Sequence, residues 1–509
     1  MTSDSALDLR AAPTLVVGAG LMGIGIVQVA AQSGHAVLLF DTRDGAAAQA
    51  RARLQDTLDG LVAKGKLAAD QAAAAMARIR PIGSLREAAD CTLVVEAIVE
   101  NLAAKRALFA QLEDIVSERC VLATNTSSIS VTAIANGLKH PGRLVGMHFF
   151  NPVPLMKLVE VVHGLHTAPA VADAIYELSR VWGKVPVHAR STPGFIVNRI
   201  ARPFYAEALA LLLEQALAPN ALDACLKAAG FRMGPCELMD LVGHDTNFAV
   251  TCSVYDANFQ DKRYLPSLLQ REMVDGGLLG RKSGRGFYAY PAGAPALPAL
   301  NLAPPAPAAT VTVHGDGPLA DALEAAATQA LQPQGWGPAR ERDSRWTGLA
   351  VDGARLVLTD GRTAQAMAAQ LAAPDTAVFD RPMQWPAVPG GALAYAVSAG
   401  ASDTWRAQAP AWLAALGFAP LAMADAPGLV VARTIAMLVN EASDAVLQGV
   451  CTPDGANSAM KLGVSYPAGP FEWLQRWGVA GVMGVLDALD AHHRGERYRI
   501  SPWLRRQAA

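Results

Sequence analysis

His148 and Glu160 stand twelve residues apart in Gly-Met-His-Phe-Phe-Asn-Pro-Val-Pro-Leu-Met-Lys-Leu-Val-Glu. The histidine closes one apolar segment and the glutamate lies in the next, across a proline-containing turn. Two neighbouring strands joined in this way can set a carboxylate against an imidazole. Such a carboxylate fixes the ring tautomer and suits the ring to general acid/base work. The structural alternative is a satisfied core histidine and a surface glutamate. Ser127, in Asn125-Thr126-Ser127-Ser128, follows an earlier apolar segment. Its hydroxyl can cap a helix or hydrogen-bond a substrate oxygen. Asn198 opens a helical stretch in Pro-Gly-Phe-Ile-Val-Asn-Arg and is either a further functional group or a surface residue.

A second constellation lies at the start of the chain. Gly18, Gly20 and Gly23 form G-x-G-x-x-G directly after the apolar stretch Thr-Leu-Val-Val, with Leu21 and Met22 inside the motif. An apolar helical run and a second apolar strand follow, and Asp41 stands just past that strand. The glycines allow a tight turn, close approach of backbone to a pyrophosphate, and close helix–strand packing. The helix N-terminus offers its N–H groups to phosphate, and the acid can accept hydrogen bonds from an adenosine ribose. Asp41 favours NAD over NADP because a carboxylate repels a 2′-phosphate; Arg43, two residues on, pulls the other way.

These residues need a scaffold, and the apolar pattern supplies one. Residues 14–17, 36–40, 92–96, 121–124, 144–148 and 157–162 read as strands separated by helical segments. That alternation signals a parallel, doubly wound sheet over residues 1–190, with a helical pair at 45–78. Each candidate polar group then falls at or just beyond a strand's C-terminal end, the edge where open α/β sheets bind ligands. Residues 191–290 are helix-rich and end in Gly-Arg-Lys-Ser-Gly-Arg-Gly-Phe-Tyr. Residues 291–309, Pro/Ala-rich and nearly uncharged, read as a stiff linker. A smaller α/β segment spans 310–425, with strands at 311–313, 356–358, 377–379 and 393–397. No glycine triad follows any of these, so a dinucleotide is not expected there. Residues 426–509 echo the helical domain: Pro427-Gly428-Leu-Val-Val-Ala-Arg433 repeats Pro193-Gly194-Phe-Ile-Val-Asn-Arg199, and Gly469-Pro-Phe-Glu472 repeats Gly234-Pro-Cys-Glu237. Asn198 becomes Ala432 in the second copy.

Composition bounds the partners. The chain is 52% hydrophobic with a net charge of −2, and its charges are interspersed, so neither nucleic acid nor another polyanion is implied. Six scattered cysteines without a C-x-x-C argue for reduced thiols and against a metal site. No stretch is apolar enough for a membrane span, and the acidic N-terminus is unlike a signal peptide. A cytoplasmic protein is the expectation.

The motifs GAGLMG, VVEAIVENL, NTSSIS, GMHFFNPVPLMKLVEVV, TPGFIVNR and GRKSGRGFY make residues 13–290 resemble the NAD-dependent L-3-hydroxyacyl-CoA dehydrogenases, including 3-hydroxybutyryl-CoA dehydrogenases. The second helical copy resembles the family's C-terminal domain, and the segment between the copies resembles the reduced Rossmann-like insert of longer bacterial members. The resemblance implies His148 as catalytic acid/base, Glu160 as its orienting partner, Ser127 at the substrate's 3-oxygen, and Asn198 near the reacting region. It implies NAD held by Gly18 to Gly23 and Asp41, with Glu100, Lys105, Asn151 and Lys282 near the nicotinamide half or the closing domain. Lys64 resembles a basic site for coenzyme A phosphates. The implied reaction is oxidation of a short-chain or adipyl (S)-3-hydroxyacyl-CoA. A dehydrogenase of free 3-hydroxy acids and a catalytically idle NAD-binding protein are the alternatives. Family members with one helical copy dimerise through it, so the two copies here are expected to pair within the chain. Homodimers are open.

Overall fold

The computed structural model describes residues 7–299, 301–384 and 391–508. Parts of the N-terminal, linker, insert and C-terminal expectations (residues 1–6, 300, 385–390 and 509) lie outside these. The chain divides into two compact units: Met1–Arg199 with Gln448–Val464, and Ile200–Leu447 with Ser465–Ala509.

The first unit is built on an eight-stranded sheet. Its strands are β1 (Thr14–Val17), β2 (Val37–Phe40), β3 (Ile79–Pro81), β4 (Leu93–Glu96), β5 (Val121–Thr124), β6 (Leu144–Phe149), β7 (Leu158–His163) and β8 (Val185–Arg190). They lie in the order β3-β2-β1-β4-β5-β6-β7-β8. β1, β4 and β5 are buried along their whole length, as central strands covered on both faces must be. The expected helical pair appears as Ala46–Ala63 and Ala69–Ala77.

The sheet departs from the all-parallel expectation at one edge. β1 to β6 are parallel, but β7 pairs antiparallel with β6 and carries β8 parallel to itself. Connection length explains this. Residues 150–157 are too few for a crossover, which takes about a dozen or more residues, so the chain must turn back. β7 and β8 are joined through the helix Pro169–Val181 and can run the same way. β3 and β8 escape the sequence pattern. β3 is only three residues long, and β8 (Val-Pro-Val-His-Ala-Arg) mixes proline and charge with apolar residues, as edge strands do.

Residues 448–464, which belong by sequence to the second helical copy, pack in the first unit. Their helix, Pro453–Gly463, lies against β7 and β8. A Cβ on Gly463 would come within 2.7 Å of Leu158, so the helix rides directly on the strand.

The second unit holds a seven-stranded sheet in the order β10-β9-β11-β12-β13-β14-β15. The strands are β9 (Val311–His314), β10 (Ala339–Glu341), β11 (Gly348–Val351), β12 (Ala354–Leu358), β13 (Thr376–Phe379), β14 (Gly391–Val397) and β15 (Phe418–Ala422). The short β10, β11 and β15 were not legible from the pattern. β9, β10, β12 and β13 share one direction, with β11 antiparallel to both β9 and β12.

The two helical copies meet inside this unit. Helix Arg202–Leu213 packs on helix Val431–Leu447. Glu207, fully buried, accepts from Arg433 Nε at 2.8 Å and Arg497 Nη2 at 2.7 Å. Arg433 also holds Glu214, and Tyr264 donates to Glu441 at 2.6 Å. Paired charges of this kind survive burial because each side chain's hydrogen-bonding capacity is met.

Candidate active site

Parallel strands bring four loops to one edge of the first sheet. The glycine turn follows β1, residues 97–100 follow β4, residues 125–128 follow β5, and His148 sits near the end of β6. β6 and β7 then put His148 directly opposite Glu160. Cross-strand partners share a face of the sheet, so the two side chains meet. Glu160 Oε2 is 2.5 Å from His148 Nδ1, with the carboxylate fully buried and the ring nearly so. The carboxylate accepts, so Nδ1 carries the proton and Nε2 is the nitrogen left for a substrate hydroxyl. Phe150 and Phe195 flank the ring at centroid distances of 4.6 and 5.8 Å.

Glu160 does a second job. Its Oε1 accepts from the backbone N–H groups of Ile196 and Val197, both at 3.0 Å. These lie where the turn passes into helix Val197–Ile200, which carries Asn198. One carboxylate therefore holds both the imidazole and the start of the asparagine's helix. Asn198 Nδ2 reaches the carbonyl of Ser127 at 3.4 Å. His148, Glu160, Ser127 and Asn198 are thus brought together within the first unit.

Ser127 is bound on its other side to Glu100. That carboxylate accepts from the Ser127 and Ser128 N–H groups at 2.9 and 3.0 Å and from the Thr126 hydroxyl at 2.7 Å. The Ser127 hydroxyl also donates to it, at 3.2 Å, and rotation about its Cβ–Oγ bond would turn that proton toward a substrate oxygen. Burial would raise the Glu100 carboxyl, but hydrogen bonds from Thr126, the Lys105 charge and the serine contacts outweigh it and hold it at about 2. A carboxylate depressed on folding adds stability that is complete above its ordinary value near 4.5 and is lost as pH falls through its folded value. The unfolding midpoint of Glu100→Gln is therefore expected below that of the parent at neutral pH, and the gap should narrow as a pH series descends below 4.5.

Lys105, expected near the nicotinamide half or the closing domain, has a side chain only 1% exposed. Its ammonium lies 2.7 Å from Glu96 and 3.3 Å from Glu100. Glu96, absent from the sequence candidates, is fully buried and also accepts from Thr124 Oγ1 and the Ile98 N–H. The signal was present as a single charge ending an apolar strand. Asn125 was likewise passed over; its Oδ1 accepts from the Phe149 N–H at 2.8 Å and ties β5 to β6. Asn151 is exposed beyond β6, and Lys64 and Lys66 are exposed past helix Ala46–Ala63. Lys282 lies in the second unit, paired with Asp245 at 2.5 Å.

The glycine turn tests whether a dinucleotide fits. A Cβ on Gly18 would stand 2.4 Å from the Ala97 carbonyl oxygen, and one on Gly23 would stand 1.8 Å from that of Gly18. The protein itself requires those two glycines. A Cβ on Gly20 would meet nothing within 4 Å, and its backbone (φ −73°, ψ −176°) suits any residue. Gly20 thus keeps open a space that the protein does not fill, at the N-terminus of helix Leu21–Gln32. Leu21 is exposed and Met22 half-buried at the same turn. Asp41 accepts from the Ala19 N–H at 2.8 Å, which ties the turn to the end of β2. Burial opposes its charge, but the Arg43 ion pair and the Ala19 N–H hold it at about 2. Gly20→Ala is expected to leave the unfolding midpoint unchanged while weakening NADH binding about tenfold or more, read by fluorescence titration. Gly23→Ala should instead destabilise the fold.

A glycine turn on a helix N-terminus, an acid ending the next strand and an acid-held imidazole define a Rossmann-type, nicotinamide-dependent oxidoreductase. Residues 14–192 match the family described as "3-hydroxyacyl-CoA dehydrogenase, NAD binding domain", and residues 194–290 and 428–509 match its C-terminal domain. The chain belongs to this 3-hydroxyacyl-CoA dehydrogenase family. Residues 356–427 match a domain described as "3-hydroxybutyryl-CoA dehydrogenase reduced Rossmann-fold domain". The chain is 42% identical to the 3-hydroxyadipyl-CoA dehydrogenase of Escherichia coli K12 over 495 residues, covering 97% of this chain and 96% of that one. It is 44% identical over 276 residues to a probable 3-hydroxybutyryl-CoA dehydrogenase of Deinococcus radiodurans, covering 54% and 99%. The crystal structure of an Escherichia coli K12 3-hydroxybutyryl-CoA dehydrogenase superposes with a TM-score of 0.88 at 41% identity, covering 98% of each chain.

Among the described residues no group of three or more His, Cys, Asp or Glu could hold a metal, and no helix is long and apolar enough to cross a membrane.

Proposed function

We propose that the protein catalyses (S)-3-hydroxyacyl-CoA + NAD⁺ → 3-oxoacyl-CoA + NADH + H⁺, with His148 as the base. The observation that carries this is the buried contact of Glu160 with His148 Nδ1, which leaves Nε2 to take the hydroxyl proton. Glu160 stabilises the imidazolium so formed. The Ser127 hydroxyl donates to the substrate's 3-oxygen, and Asn198 positions the loop that carries it. Gly18, Gly20, Gly23 and Asp41 hold the adenosine diphosphate half of the cofactor; Glu100 and Asn151 line its nicotinamide side, with Lys105 fixing Glu100. Leu21 and Met22 belong to the same turn, and Lys64 meets coenzyme A phosphates. Bound there, NAD⁺ supplies the acceptor for the hydride leaving C3.

The full-length matches carry both names, a 3-hydroxyadipyl-CoA dehydrogenase and a 3-hydroxybutyryl-CoA dehydrogenase, so a dicarboxylyl and a plain short-chain thioester are both candidate substrates. Arg202, Arg232 and Arg263 are the candidate arginines for a distal carboxylate, and Arg263 is committed to Glu441 and Asp444. Arg202 lines an apolar cavity of about 200 Å³ in the second unit. Turnover of acetoacetyl-CoA with NADH tests the reaction, and kcat/KM for 3-hydroxyadipyl-CoA against 3-hydroxybutyryl-CoA tests the chain. The larger value identifies the acyl class; absence of turnover with any acyl-CoA would defeat the proposal. Asp41→Ala should lower kcat/KM for NAD⁺ by about 10–100-fold and narrow the preference over NADP⁺, because it removes a charge-assisted partner of the ribose and releases Arg43. The two helical copies joined through Glu207 and Arg433 replace, within one chain, the pairing that single-copy relatives make between subunits.

A further inference from the structure

The second sheet carries a cavity that the dehydrogenase reaction does not use. It measures about 370 Å³, within the range of roughly 300–1,000 Å³ typical of small-molecule sites. Its walls include residues at or just beyond the C-terminal ends of three strands that run the same way. Asp316 follows β9, Leu358 ends β12, and Arg381 follows β13. Such a strand-end edge is where an open α/β sheet takes ligands.

Two guanidiniums line the cavity, Arg381 and Arg476, and neither makes a side-chain hydrogen bond or ion pair among the described residues. Arg381 is half-buried and lies over the Trp477 ring at 4.6 Å. Burial brings it down to about 10, opposed only in part by the Asp380 charge. A cation removed from water without a hydrogen-bond partner is costly, and an anion would relieve that cost. The nearby carboxylates are already matched. Asp380 accepts from the backbone N–H groups of Val430, Val431 and Ala432. Asp316 pairs with Arg342 at 2.9 Å. Pro318, Leu319 and Met383 add an apolar wall for the body of a ligand.

We propose that this cavity binds a small organic phosphate of about mononucleotide size, its phosphate held by Arg381 and Arg476. The arginine fork suits phosphate oxygens. The cavity belongs to the second unit and the NAD turn to the first, and no glycine triad is needed because only one phosphate is held. AMP is titrated calorimetrically into the full-length protein saturated with NADH, which fills the first site. Saturable binding is expected, displaced by excess inorganic phosphate. Arg381→Met and Arg476→Ala should each weaken it about tenfold or more, with kcat/KM for acetoacetyl-CoA unchanged. Arg476 is exposed, so its variant reports even where Arg381→Met fails to fold. No binding at millimolar AMP, equal affinity in the variants, or failure of phosphate to compete would each overturn the proposal.

Discussion

His148→Gln is expected to lower kcat by about 10²–10⁴-fold, the usual worth of a positioned acid/base, while leaving NADH affinity intact. Glutamine roughly fills the volume between Phe150 and Phe195 and can still face Glu160, so packing around the site survives. It cannot take a proton from a hydroxyl. Steady-state turnover with acetoacetyl-CoA, set beside an NADH fluorescence titration, separates the two effects. A variant turning over near the parent rate would remove His148 from the mechanism.

Glu160 is expected to give two different phenotypes, because its two oxygens serve different partners. Glu160→Gln keeps an oxygen for the Ile196 and Val197 N–H groups but sets an amide NH₂ against His148. The ring must then accept at Nδ1 and carry its proton on Nε2, the wrong tautomer for taking one from substrate. Turnover should fall by about 10²–10⁴-fold with little change in the unfolding midpoint. Glu160→Ala adds two buried N–H groups without acceptors, each costing about 1–3 kcal/mol. Its unfolding midpoint should drop as well. Equal midpoints for the alanine variant and the parent would show that the carboxylate does not anchor the helix. Equal turnover for the glutamine variant and the parent would show that it does not orient the imidazole.

The duplication illustrates how far sequence carried and where it stopped. The repeated Pro-Gly turn was legible, and its backbone repeats too. Gly194 and Phe195 have φ of 77° and 47°, and Gly428 and Leu429 have φ of 73° and 51°. The acid that anchors each turn was not legible as a pair. In the first copy it is Glu160, inside β7. In the second it is Asp380, just after β13, accepting from Val430, Val431 and Ala432. Burial pushes Asp380 up to about 6. The two acids come from unlike strands, so no spacing rule links them. Lys105 shows the opposite case. It stood in a legible motif, yet only the packing reveals a buried ammonium spent on Glu96 and Glu100.

What the sequence determined by itself is local. Apolar strands, helix starts and the glycine turn follow from residue type and spacing over a few positions, and so do the residues at the strand ends. Tertiary structure alone decided what faces what. The short 150–157 connection reversed β7, and that reversal put Glu160 opposite His148 in register. Residues 448–464 joined the first unit although they belong by sequence to the second helical copy. Strand pairing and domain packing are contacts between residues far apart in the chain. Their energies depend on burial and geometry that no local pattern encodes.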